Sequence, residues 1–265
     1  MSQATRIPVL MYHRVGASSN AWEARYAISP EGFAAHMQTL ARSGYRAVDI
    51  DALVDWLEGG AALPEGAFLL TFDDGFRGVR EHALPVLEKL GWPFTVFLVS
   101  DLIGGEDVWT RSSNPSGATF PLLDAGEIRD MQRRGCSFHS HTRSHASLPK
   151  LDDVALADQL RGSRSALAEL LDHDVRYIAY PFGHLDERVE AATRAAGYRA
   201  AFATQPGFNR RDVNRFRIRR IDVFGTDTPA MLARKIHLGS NDGSLGHALR
   251  YYLARLSSRL PGVGR

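Results

Sequence analysis

FLLTFDDG, residues 68–75, passes from apolar to acidic within eight positions. FLLTF (68–72) reads as a buried strand. The acid pair and glycine behind it read as the strand's C-terminal end and the turn beyond. VREHALPVLEKLG (79–91) then reads as a helix with a glycine stop, and FTVFLV (94–99) as a second strand. Strand, helix, strand with apolar strands is the unit of a parallel sheet covered by helices.

The same unit recurs on both sides. IPVLMYH (7–13) reads as a strand, and SPEGFAAHMQTLARSG (29–44) as a helix with Ser29 as N-cap and Pro30 at its first position. GGEDVWTRSSNPSGATFP (104–121) reads as a long loop, DAGEIRDMQRRG (124–135) as a helix, CSFHSH (136–141) as a strand, and 151–173 as one long helix. YIAYPFG (177–183), a helix and strand over 186–204, and FRIRRIDVF (216–224) continue the pattern. Seven or eight such units suffice to close a barrel. No break in composition divides the chain, so residues 1–243 are taken as one α/β domain. Residues 244–265 are taken as a basic amphipathic helix, LGHALRYYLARLSSRL (245–260), and a tail. Such a helix either packs on the barrel or contacts a membrane surface or a partner protein.

Bulk properties exclude several classes. The 265 residues carry a formal net charge of +2, which gives no reason to expect a nucleic-acid partner. The one cysteine, Cys136, excludes an internal disulfide framework and a multi-cysteine zinc site. No apolar run reaches the roughly 18 residues of a membrane span. MSQATRIPVLMYHRVG lacks the pattern of a signal peptide, so a cytoplasmic protein is expected; with a trimmed leader the cell envelope is the alternative. No G-x-S-x-G elbow, H-E-x-x-H or nucleotide-binding glycine motif occurs.

The chemistry concentrates in two places. HSHTRSH (139–145) holds three histidines in seven positions. His141 and His145 are spaced i, i+4, within reach of one ion on a helical turn, and a divalent ion there wants a further ligand, often a carboxylate. Asp73 and Asp74 stand at a strand's C-terminal end, where barrels gather catalytic residues. Adjacent carboxylates repel, and a metal beside one offsets the repulsion; one ligand and one base is the natural division. An acid pair of this kind also serves as an ordinary turn or helix cap.

With these motifs the chain resembles the polysaccharide deacetylases, the NodB-homology domain of carbohydrate esterase family 4. TFDDG (71–75) matches their first motif, HTRSH (141–145) their second, H-S/T-x-x-H, and YPFG (180–183) looks like a divergent third. VLMYHRVG and RIRRIDV resemble the branch acting on exopolysaccharides such as poly-N-acetylglucosamine. The resemblance implies a distorted (β/α) barrel and a metal-dependent N-deacetylase of an acetylated aminosugar polysaccharide or its precursor. It implies Asp74, His141 and His145 as metal ligands, Asp73 as general base, and the Phe182 N–H as oxyanion donor. Zinc is the first candidate metal; cobalt, nickel, iron and manganese suit the same ligands. Peptidoglycan, chitin oligomers or a small amide are alternative substrates, and a non-catalytic carbohydrate-binding protein is the alternative class.

Two departures need substitutes. The arginine that opens the family's third motif and orients the base is replaced by Ala179, and Arg220 is the candidate to take its place. The late L-x-L-x-H motif has no clear counterpart; His13 is preferred as general acid over His237 in KIHLG (235–239) and His184. Tyr180, Pro181 and Phe182 are expected at the acetyl pocket, with Leu238 by analogy. Trp109 is expected under a sugar ring, and His139 beside the ligands or facing the cleft. Ser140 and Thr142 are expected to fix ligand geometry.

Overall fold

The computed structural model describes residues 3–257. Its strands are β1 (Val9–Tyr12), β2 (Arg14–Val15), β3 (Ala27–Ile28), β4 (Arg46–Val48), β5 (Ala67–Phe72), β6 (Phe94–Leu98), β7 (Cys136–Ser140), β8 (Tyr177–Ala179), β9 (Ala200–Phe202) and β10 (Ile221–Asp222). Its helices are α1 (Glu23–Tyr26), α2 (Pro30–Arg42), α3 (Ile50–Leu57), α4 (Leu84–Leu90), α5 (Ala125–Arg133), α6 (Asp153–Ala157), α7 (Ser163–Leu171), α8 (Glu187–Ala195), α9 (Pro229–Leu238) and α10 (Leu245–Ser257). The main sheet runs β10-β1-β5-β6-β7-β8-β9, with β4 also on β5, and every pair in it is parallel. A parallel bridge between Phe202 and Ile218 brings the segment entering β10 back against β9. The sheet thus curls round on itself into the expected distorted barrel.

Side chains alternate across each strand, and here the alternation sorts them into two apolar bodies. Phe68, Leu70 and Phe72 of β5 pack outward with Leu10, Val96, Phe138 and Ile178 against the surrounding helices. Ala67 and Leu69 face inward with Val9, Phe97, Tyr177 and Phe202, and α3 supplies Leu53, Val54 and Leu57 to this inner body. The inward row of β5 continues through Thr71 to Asp73, which follows the strand.

Local signals held where caps were clear. Ser29 accepts the Gly32 N–H at the head of α2, and Asp124 with Glu127 forms a reciprocal cap on α5. Three readings are corrected. The 79–91 segment opens with a π-helical turn, Val79–Ala83, ahead of Pro85, whose ring and missing N–H disturb the regular ladder. The long helix over 151–173 is interrupted by a π-helical segment, Asp158–Gly162. FRIRRIDVF is strand only at Ile221–Asp222; Ile218 makes a single bridge and Arg217 closes a turn on Asn214.

α10 is helical as expected, though it does not lay its apolar side on the barrel. Leu245, Leu249, Tyr252 and Leu253 are exposed, and Ala248 is buried. The expected helix beyond Ser257 and the tail lie outside the described residues.

Candidate active site

Parallel strands send all their C-terminal ends to one mouth. Asp73 and Asp74 follow β5 there, His141 follows β7, His13 follows β1, and Asp222 ends β10. Asp74 turns left-handed, with φ 73°. Both carboxylates therefore reach His141 Nε2, Asp74 Oδ1 at 3.4 Å and Asp73 Oδ2 at 4.0 Å. His145 Nε2 lies 3.3 Å from Asp74 Oδ1.

The histidine segment is not a helical turn. Thr142 and His145 are both left-handed, with φ 70° and 60°, a conformation that non-glycine residues hold only under tertiary constraint. The constraint is visible. Thr142 N–H donates to Ser140 Oγ at 3.1 Å, and His145 N–H to Thr142 Oγ1 at 3.2 Å. Ser140 Oγ in turn meets Ser163 Oγ at 2.8 Å, which meets Tyr198 Oη at 3.2 Å. Ser140 and Thr142 thus hold the turn that carries His141 and His145.

The cluster has the donor set of a cation site. His141 Nδ1 faces the Ala179 carbonyl at 2.8 Å, and a carbonyl only accepts. Nδ1 therefore carries the proton, and Nε2 turns its lone pair toward Asp74. Burial above all keeps this imidazole neutral, lowering its pKa to about 4. Asp74 Oδ1 is buried and accepts no hydrogen bond from the described residues. One atom from each of Asp74, His141 and His145 lies within 4.8 Å of the others. The His141 lone pair and the Asp74 oxygen repel one another unless a cation, or a proton on His145 Nε2, lies between them, and two imidazoles with a carboxylate suit zinc or its neighbours.

Asp73 is held apart from this set. Arg220, fully buried, grips it with two bonds: Nη1 to Oδ1 at 2.6 Å and Nη2 to Oδ2 at 2.8 Å. Arg220 Nε donates to the Ala203 carbonyl at 2.9 Å, which fixes the plane of the fork. Burial would raise the Asp73 pKa, but the guanidinium and the neighbouring imidazoles outweigh it and hold the carboxyl below its usual range. Ala179 leaves no side chain to compete, and its carbonyl serves His141 instead.

A cleft of about 470 Å³ opens over these groups. His13 lines it, its ring edge-on to Tyr26 at 5.4 Å, with Nδ1 buried and unbonded among the described residues. Trp109 and Phe182 line it too, and both contact the His145 ring. Other expected members lie elsewhere. Tyr180 is buried in the outer apolar body, because alternation sends it opposite to Ala179; only the left-handed turn at Phe182 (φ 58°) brings that ring back to the mouth. Pro181 is buried and does not line the cleft. His139 shares the inward face of His141 but sits two residues deeper, roughly 7 Å along a strand. There it contacts Tyr177 and Ser137, away from the cleft. His237 is exposed on α9, Leu238 is buried beside it, and His184 bonds Ser147 outside the cleft.

Sequence reasoning passed over several lining residues. Trp22, the residue before α1, and Tyr26 at its end are spaced i, i+4, visible in WEARY (22–26). Asp222 closes the segment RIRRID, and burial raises its carboxyl. Asp107, raised to about 6 chiefly by burial, had no signal beyond its place in a long loop.

A triad able to hold a metal ion and a clamped carboxylate stand together at the mouth of a parallel α/β barrel. Residues 60–201 match the family model for polysaccharide deacetylase, more than half of the chain. The chain belongs to the polysaccharide deacetylase family and is a hydrolase of that class. A putative polysaccharide deacetylase, YxkH, from Bacillus subtilis is 26% identical over 218 residues, covering 82% of this chain and 71% of the relative. The poly-beta-1,6-N-acetyl-D-glucosamine N-deacetylase of Staphylococcus epidermidis is 24% identical, covering 75% of this chain and 68% of its own. Among solved structures, IcaB from Ammonifex degensii superposes with a TM-score of 0.71 at 29% identity, covering 87% of this chain and 97% of that one.

Proposed function

We propose that the protein is a metal-dependent N-deacetylase of an acetylated aminosugar polymer. The observation that carries this reading is the division of labour between neighbouring carboxylates: Asp73 clamped by Arg220, Asp74 facing the Nε2 atoms of His141 and His145. Asp74, His141 and His145 would hold a divalent cation, which would supply Lewis acidity to the acetyl carbonyl and lower the pKa of water. Asp73, kept ionised by Arg220, accepts the proton of the attacking water. The Phe182 N–H donates to the oxygen that gains charge. His13, across the cleft, gives the leaving nitrogen a proton, because an amide anion leaves poorly. Water and the N-acetyl group become acetate and a free amine. Tyr26 and Trp22, which line the cleft, offer rings to the sugar. The likeness to the S. epidermidis enzyme favours β-1,6-linked N-acetylglucosamine over peptidoglycan or chitin oligomers.

The test is acetate release from a panel of these three oligomers. Chelation is expected to abolish it and added zinc to restore it. Asp73→Asn should cost 10²–10⁴-fold, the usual weight of general-base catalysis. His13→Gln should slow the amide far more than 4-nitrophenyl acetate, whose leaving group needs no proton. Activity that survives chelation, or an Asp73→Asn variant with full turnover, overturns the reading. Equal losses on amide and ester remove His13 from its role.

We also propose that α10 meets an anionic membrane surface. Its exposed leucines lie on one side, and residues 245–257 include Arg250 and Arg255 and no acid.

A further inference from the structure

His141 and His145 present Nε2 to the same carboxylate oxygen, but they are held in different ways. His141 is fixed by its second nitrogen, through the Ala179 carbonyl. His145 Nδ1 is buried and has no hydrogen-bond partner among the described residues. A metal-binding imidazole ordinarily needs that second bond, since it fixes the ring's orientation about the Cβ–Cγ axis. What surrounds His145 is aromatic. Trp109 stacks on one face, centroids 4.4 Å apart and planes 17° from parallel. Phe182 meets the ring edge-on at 4.5 Å and 76°.

We infer that Trp109 is a positioning residue for the ligand His145, its indole doing what the missing hydrogen bond does for His141. The inference rests on the reading of Asp74, His141 and His145 as a metal site. A stacked plate permits small sliding in the plane but resists rotation, because turning the imidazole drives its edge into the indole. The indole face is also electron-rich, so it favours an imidazole whose electrons are drawn toward a cation.

The plate needs a rigid mount, and the loop over 104–121 has one. Asp107 accepts from Thr110 Oγ1 at 2.9 Å, beside Trp109. Bridges Phe76–Leu122 and Glu106–Pro121 tie the base of the loop. Asn114 Nδ2 and Ser116 Oγ both donate to the buried Glu23 carboxylate at 3.0 Å, locking the loop to α1. A segment that supplies no ligand thus contributes to metal affinity. The indole face against His145 is, by the same geometry, unavailable to a sugar ring.

The experiment strips the full chain of metal, then titrates zinc in competition with a chromogenic chelator. Trp109→Ala is expected to weaken zinc binding by ten- to a hundredfold, the usual effect of losing a group that orients a ligand. Trp109→Phe, which keeps a plate, should stay within about threefold of wild type. If the alanine variant melts below the assay temperature, Trp109→Leu replaces it and must show the same loss. Wild-type zinc affinity in the folded alanine or leucine variant, with only KM raised, overturns the inference and leaves Trp109 as a sugar platform. A wild-type protein that binds no zinc, or a His145→Ala variant that binds it unchanged, is a different failure: that of the metal site itself.

Discussion

Buried imidazoles make the centre sensitive to acid before any substrate arrives. Burial lowers His141 to about 4 and His139 to about 3, from an ordinary value near 6.5. Between those limits the unfolded chain binds protons that the folded chain refuses, so stability is complete above about pH 6.5 and falls as pH drops toward 4. Each shift exceeds two pH units, on the order of 3 kcal/mol apiece at the low end of the window. Urea unfolding of metal-free protein should therefore give midpoints that fall steadily from pH 7 to pH 5. His139→Leu should flatten that slope, since this histidine touches no cleft group; an unaltered slope would mean that His139 takes up its proton as readily in the folded chain as in the unfolded one. At this scale the sequence was partly legible. The acids and the i, i+4 histidines announced themselves by type and spacing, and Arg220 by its place in RIRRID. Tyr180 misled because alternation turns it away from the cleft, opposite to Ala179, while the left-handed turn that brings Phe182 back to the mouth is invisible in the letters YPFG.

The elements that present these residues are short and end abruptly, and close packing at their ends does the aiming. Gly183 follows Phe182 with φ 69°, and a Cβ there would stand 1.9 Å from Thr204 Oγ1. Gly183→Ala must push the turn off Thr204 or bend the backbone, at about 1–3 kcal/mol. A melting temperature lower by several degrees is expected, together with weaker zinc binding, as Phe182 withdraws from His145. Adding Thr204→Ala should recover part of the stability; no recovery would show that the clash is not the cause. The helices beside the site were the easier reading, since caps such as Ser29 and Asp124 act locally. RAVDIDALVDWL (46–57), which forms β4 and α3, was passed over, although Asp49 accepts the Ala52 N–H and Ile50, Leu53, Val54 and Leu57 are spaced for one buried face. The π-helical interruption in 151–173 depends on what packs around it and had no local mark.

For the whole molecule, the alternation of strand and helix sufficed to expect a parallel barrel, and the acid pair to place its working end. How the barrel closes was less readable: FRIRRIDVF looks like one strand, yet it bridges β9 at Ile218 and pairs with β1 only at Ile221 and Asp222. α10 makes a prediction at this scale. Sedimentation with vesicles rich in phosphatidylserine should carry the protein down, vesicles of phosphatidylcholine alone should not, and added salt should release it. Replacing Leu245, Leu249 and Leu253 with serine should abolish the binding while leaving the melting temperature unchanged. Equal sedimentation with both lipids, or binding by the serine variant, would rule the contact out.

Arg220 lies 147 positions beyond the carboxylate it grips. During synthesis the N-terminal portion leaves the ribosome first, so Asp73, Asp74, His141 and His145 are all made before the residue that clamps Asp73. A nascent or truncated chain lacking that last stretch holds the makings of a metal site without an oriented base. On the proposed mechanism, then, the chain gains an oriented base only once translation has passed the segment that closes the barrel.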